Sequence, residues 1–193
     1  MKLTLFSLLF TMIISSVAQA GFVEVGASGT YRKQNVGADI FSENYSLTGS
    51  ISYLFDEMSA IELSYTEGYG RTVVGAAASG ATKELVSSAT MASLDFVYTF
   101  GDKGAMLRPY LKAGAGYLIK KELTEVIAGG FPNRTYQEDT GFVPSAGIGF
   151  RLALTQTLSL KIGVDGWSSQ PIGAENRNSK IDYAGRAGIS WLF

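Results

Sequence analysis

Between Gly141 and Trp167 the side chains change character at every step. Phe142, Pro144, Ala146, Ile148, Phe150, Leu152 and Leu154 form one series, and Gly141, Val143, Ser145, Gly147, Gly149, Arg151 and Ala153 form the other. After Thr155-Gln156-Thr157 the pattern resumes, with Leu158, Leu160, Ile162 and Val164 set against Ser159, Lys161, Gly163 and Asp165. Successive side chains of a strand point to opposite faces. Two period-two runs joined by a short polar turn therefore predict a β-hairpin. A soluble strand runs about five or six residues. These runs suit a strand crossing a bilayer, which needs about 9–11 residues when tilted. In that setting the apolar series meets hydrocarbon, while the small, polar and charged series lines a lumen.

The same alternation predicts strands over 23–31, 45–55, 61–68, 86–100, 109–119 and 183–193, with the regular part of the fourth beginning at Ala92. The opening hairpin supplies the sixth and seventh. Short turns at 56–59, 101–104 and 155–157 alternate with polar loops at 32–43, 69–83, 120–139 and 168–180. The longest of these, 120–139, can continue as a hairpin through KKELTEVI, around Gly129-Gly130 and Pro132, and back along RTYQED. Eight strands with alternating long and short connections predict an all-β, eight-stranded antiparallel up-and-down transmembrane β-barrel, its long loops outside and its short turns periplasmic. Outward aromatics fall into two groups. Phe55, Tyr98, Phe100, Phe150, Trp191 and Phe193 lie at the short-turn end; Tyr31, Tyr45, Tyr65, Tyr117, Phe142 and Tyr183 lie toward the loops. Two such belts are expected where rings meet the two membrane interfaces. A soluble barrel would turn its large apolar residues inward and need no belts.

Residues 1–20 read differently. Lys2 is followed by an uncharged apolar and hydroxylated stretch, then by Ala18-Gln19-Ala20 before Gly21. This is the pattern of an export signal cleaved after Ala20, which leaves 21–193 as one barrel domain. No later apolar run is long enough for a transmembrane helix. The sequence contains no cysteine, so disulfides do not hold the exported fold together. Sixteen basic against 17 acidic residues, with no basic patch, give no reason to expect a nucleic-acid partner.

The absence of histidine removes Ser–His and Asp–His activation, and there is no cysteine nucleophile. No catalytic residues, no metal, no calcium loop and no cofactor are expected, and the chain reads as a non-enzyme. Gly114-x-Gly116 sits within a strand and lacks the helix that a phosphate loop requires. The lumen phase carries the informative residues. Glu24, Glu62, Asp95, Asp165 and Asp182 are its acids; Arg108, Lys112, Arg151, Lys161 and Arg186 are its bases. An eight-stranded barrel has just enough room for its own side chains, and unpaired charges there would be costly, so an ion-pair network is expected. The bland outcome is a salt-bridged plug; an ion gate or a ligand site remains open. Gly114, Gly116, Gly147, Gly149, Gly163 and Gly188 share this phase and are expected to make room for the long bases.

The Ala-Gln-Ala signal, the segments RPYLKAGAGY and SAGIGFRLAL, and the ending Trp191-Leu192-Phe193 resemble the small bacterial outer-membrane β-barrel family, the OmpA/OmpX/OmpW-type group. The resemblance covers 21–193. It implies a Gram-negative outer-membrane location and contact with outer-membrane lipid and lipopolysaccharide. It also implies an assembly signal read by the outer-membrane assembly machinery, matched here by Tyr183, Ile189, Trp191 and Phe193. The peptidoglycan-binding domain of full-length OmpA-type proteins is not expected after Phe193. The role expected is structural or surface-interacting, with a possible protein partner at loop 120–139. A narrow channel for small or hydrophobic solutes, as in OmpW-type members, is the alternative.

Overall fold

The computed structural model describes residues 22–37, 40–76, 81–102, 104–128, 131–168 and 181–193. The expected export signal at 1–20, the expected turn at Gly129-Gly130 and nearly all of the expected loop 168–180 lie outside the described residues. The strands are β1 (Phe22–Gly37), β2 (Ile40–Leu54), β3 (Ser59–Ala76), β4 (Ala81–Thr99), β5 (Leu107–Ala128), β6 (Phe131–Ala153), β7 (Leu158–Ser168) and β8 (Ile181–Leu192). Each pairs antiparallel with the next, and β8 returns to β1 to close an eight-stranded barrel. Closure is what hydrocarbon demands, because water is not there to satisfy a free edge.

Register fixes the tilt. Partners step from Glu24 through Ser52, Glu62, Asp95, Gly114, Ser145 and Trp167 to Asp182. Continued past its last pair, the β1–β8 register sets Asp182 opposite Gln34, ten residues beyond the starting point. A stagger of this kind forces the strands to lean by about 35–45° in a barrel. Burial alternates as the pattern requires: Leu111 and Ile148 face out, while Asp95 and Arg151 are buried.

The periplasmic turns are built locally. Asp56 Oδ1 accepts hydrogen bonds from the Met58 and Ser59 amides, both at 2.6 Å. The backbone-bonded Asp56 carboxyl is thereby held below the usual carboxylate range. Thr155 Oγ1 performs the same task for the Leu158 amide at 2.9 Å. Gly101 adopts φ +94°, a conformation that favours glycine. At the seam, the Phe193 amide donates to the Val23 carbonyl at 2.8 Å.

Two expected loops are in large part strand. Most of 32–43 continues β1 and β2, and 69–83 continues β3 and β4 through Ala76 opposite Ala81. Regular strand on β4 likewise begins well before Ala92. Above the membrane neither face meets lipid, so Gly, Ser, Thr and Ala replace the apolar alternation while the backbone ladder continues. The 120–139 segment does form the expected hairpin, β5 with β6, paired from Leu107 opposite Leu152 to Ala128 opposite Phe131. Strand lengths differ sharply: β5 and β6 have 22 and 23 residues, β7 and β8 only 11 and 12. With about 3.4 Å per residue and the barrel's tilt, β5 rises roughly 25 Å beyond Tyr117.

Candidate functional site

The lumen is stacked in layers. Nearest the periplasm, Ala60, Val97 and Tyr110 form a small apolar cluster with Leu54. Above it lies a cluster of charges, with four acids from β1, β3, β4 and β7 and four bases from β5, β6, β7 and β8. The Glu24 carboxylate contacts both the Arg151 guanidinium and the Lys161 ammonium. Lys161 also reaches Glu62 at 3.5 Å. Lys112 Nζ sits among three carboxylates, at 3.2 Å from Asp165, 3.7 Å from Glu62 and 3.8 Å from Asp95. Arg186 closes the set on Asp165 at 2.7 Å.

Register explains why some of the pairs cross the lumen. Glu62 and Asp95 are direct neighbours on β3 and β4, and Arg151 and Lys161 are direct neighbours on β6 and β7. Like charges side by side on a sheet destabilise it. Here Arg151 and Lys161 are answered by Glu24 and Glu62 across the lumen, while Asp95 is answered by Lys112 from the adjacent β5 and Asp165 by Arg186 from the adjacent β8, so four acids balance four bases. Serines complete the shell. Ser93 and Ser145 donate to Asp95 at 2.8 and 2.6 Å, Ser52 donates to Glu62 at 3.1 Å, and Arg151 donates to Ser159 at 3.3 Å. Buried charges are tolerated only when remaining donors and acceptors find such partners.

Eight of the ten expected lumen charges meet in this cluster. Asp182 does not; it lies higher, 3.8 Å from Lys120. Arg108 is half-buried near the periplasmic end, paired in register with Arg151, and has no carboxylate at ion-pair distance among the described residues. Both shifts follow from strand tilt, which puts residues of one phase at different heights. The inward glycines differ in what they accommodate, and a Cβ on Gly114, Gly116 or Gly188 would meet Asp95, Met91 or Ser28 and not a base. A Cβ on Gly147 would meet Lys112 Cε at 2.9 Å, so that glycine does make room for a base. At Gly149 and Gly163 the nearest side chain is Tyr110, whose hydroxyl would lie 2.6 Å from either Cβ. Those two accommodate a ring and not a base.

Between the bases and acids the free space is small: about 30 Å³ beside Lys161 and Arg186, and about 20 Å³ beside Arg151 and Val97. Each has room for about one or two waters. Above the cluster, Met91, Leu118 and Val143 form an apolar layer, with Leu118 and Val143 at 1% and 0% exposure and Trp167 packed against it. This layer was legible only as large apolar residues on the lumen phase. Above it opens a vestibule of about 490 Å³ containing Lys120, Glu122, Asp182 and Trp167. Lys120 belongs to the lumen phase of β5, but its place in a polar segment disguised that.

On the outer surface the rings pair off at both levels. Tyr98 stacks edge-on with Phe100, and Trp191 lies beside Phe193, at the periplasmic end. Tyr117 packs on Phe142, and Tyr45 on Tyr69, toward the loops. Tyr183 and Ile189, with Trp191 and Phe193, form the exposed outward series of β8.

Residues 2–193 match the family described as the OprF membrane domain. No curated protein sequence matches the chain. Among solved structures it is similar to the N-terminal β-barrel domain of Pseudomonas aeruginosa OprF, with 21% identity, a TM-score of 0.51, and coverage of 90% of this chain and 98% of that one. It is also similar to the outer membrane protein OprG from Pseudomonas aeruginosa, with 14% identity, a TM-score of 0.54, and coverage of 90% and 96%. With its closed barrel, two aromatic belts and match across nearly the whole sequence, this chain belongs to the OprF membrane domain family and resides in the Gram-negative outer membrane.

Proposed function

We propose that this protein is an outer-membrane barrel with a closed, ion-paired lumen, whose role is structural or surface-interacting rather than conductive. The observation that carries the reading is the neutral set of four acids and four bases, roofed by Met91, Leu118 and Val143. Moving an ion through it requires both breaking buried pairs and crossing an apolar layer, two costs in series.

The long β3–β6 ladders support the surface role. Strands β3 to β6 pair continuously to Ala76, Ala81, Ala128 and Phe131. The upper part of β6, before Ser145, has no register partner on β7 among the described residues. Exposed charges near it, including Arg134 beside Glu125 at 3.2 Å, suit a polar partner or the lipopolysaccharide surface. In the family's manner, Tyr183, Ile189, Trp191 and Phe193 serve as the signal to the assembly machinery.

Planar-bilayer recording of the refolded protein tests the closed lumen. The expected result is no stable, reproducible opening. Regular openings whose size changes with Arg151→Ala or Arg108→Ala would replace this reading with a narrow channel.

A further inference from the structure

Paired strands bring two sets of side chains to the vestibule above the apolar layer. Across β2 to β5, one register row sets Asn44 opposite Gly70, Gly70 opposite Ser87, and Ser87 opposite Glu122. On β7 and β8, Trp167 and Asp182 are direct partners. All six belong to the lumen phase and line the same space of about 490 Å³. Gly70 lets its row draw together: a Cβ there would collide with the Asn44 side chain and lie 2.7 Å from Ser87 Oγ. Ser87 Oγ is 3.5 Å from the Gly70 carbonyl, the far limit of a hydrogen bond, so its capacity is largely unspent. Trp167 packs against Met91, Leu118 and Val143 and also lines the vestibule, which gives the floor an aromatic surface. Beside it, Asp182 keeps 43% of its side chain accessible. Lys120 is the lining's one base against two acids, 2.9 Å from Glu122 and 3.8 Å from Asp182.

We propose that the vestibule is a binding site for a free, neutral saccharide entering from outside the cell. A sugar ring has an apolar face of C–H bonds and a rim of hydroxyls, and the two kinds of lining match those two parts. The electron-rich face of an indole attracts the C–H face, as it attracts the positive edge of another ring. The rim hydroxyls donate to the carboxylates of Glu122 and Asp182, and these bonds to ionised acceptors are the stronger kind. Asn44 and Ser87 both donate and accept, as a hydroxyl rim requires. Other ligand classes fit less well. An anion meets the acid excess, and the one base is already held by two carboxylates. A cation would have to displace Lys120 from them. An acyl chain would leave the amide, hydroxyl and carboxylate groups of the walls unsatisfied. The volume lies within the range of small-molecule pockets and admits about one or two sugar rings. The inference uses only the floor of the vestibule; regular openings in planar bilayers would overturn the closed lumen and leave saccharide binding standing.

The chain has two tryptophans, so Trp191→Phe leaves Trp167 as the sole reporter. The full chain with this change is refolded in detergent micelles, and folding is checked by the gel mobility of unheated samples. It is titrated with glucose, galactose, N-acetylglucosamine, maltose and lactose while acrylamide quenches the indole. At least one of these sugars should protect Trp167 with a dependence that saturates, whereas glucuronate and galacturonate should not. Ala184→Phe fills the vestibule from the lumen phase of β8 and should abolish the protection. Asn44→Ala, at an exposed position on the opposite side, removes one amide partner and should weaken binding by about tenfold. Should Ala184→Phe fail to fold, Asn44→Ala carries the test. Protection by none of the neutral sugars, protection linear in concentration, equal protection by the uronates, or indifference to the variants overturns the proposal. Rough lipopolysaccharide added without free sugar should leave the quenching unchanged. Protection by it alone would assign the vestibule to the membrane's own sugars and overturn the proposal as well.

Discussion

Lys112→Met removes the charge at the centre of the lumen while keeping most of its volume, and its consequences differ among the three carboxylates it serves. Glu62 keeps Lys161 at 3.5 Å, and Asp165 keeps Arg186 at 2.7 Å. Asp95, 1% exposed, has no other ion partner and retains only the hydroxyls of Ser93 and Ser145. Removing one partner of a buried pair costs about 3–5 kcal/mol, because the remaining charge stays uncompensated. We expect a loss in that range, concentrated at Asp95. Asp95→Asn alone leaves Lys112 two carboxylates and should cost about 1–3 kcal/mol. The double variant should then cost about 1–3 kcal/mol less than the sum of the single variants. The assay is reversible urea unfolding in lipid vesicles, read by tryptophan fluorescence and by gel mobility of unheated samples. A Lys112→Met loss below about 1 kcal/mol, or a double variant no better than additive, would refute the claim that a single buried network holds these groups.

Gly147→Ala pushes a methyl group into the Lys112 stem and the Asp165 carboxylate, and unfolding in the same assay should show a loss of about 1–3 kcal/mol, the usual cost of overpacking. Asp56 gives the pH dependence. Its carboxyl is held low by two backbone amides, so its contribution is fully present above the ordinary carboxylate range and fades as pH falls through the lowered value. An NMR titration should find its midpoint below that of a free aspartate, and Asp56→Asn should flatten the acid limb of the stability curve. Phe193→Ala keeps the amide bond to Val23 but removes the terminal ring beside Trp191; pulse-labelled cells should show slower accumulation of the folded form in the outer membrane, while refolding in vesicles changes little.

Alternation made most of this architecture readable. Whether a residue such as Ile148 faces lipid or Arg151 faces the lumen follows from position alone, since a strand inverts its side chains at each step and the two environments are chemically opposite. The lumen phase of Glu24, Glu62, Asp95, Lys112, Arg151, Lys161, Asp165 and Arg186 was legible for that reason. The extent of β3 and β4 above the membrane was not. Where water bathes both faces, no hydrophobic contrast marks a strand, and the ladder that sustains it is a property of neighbours distant in sequence. Pairing was hidden for a related reason. A ten-residue stagger and the resulting tilt decide which residues share a height. That geometry brings Lys112 to Asp165, lifts Asp182 to Lys120, and leaves Arg108 beside another arginine. Faces were thus set by local chemistry, one residue at a time. Partners and the apolar roof were set only when the eight strands closed, because closure alone converts sequence position into height.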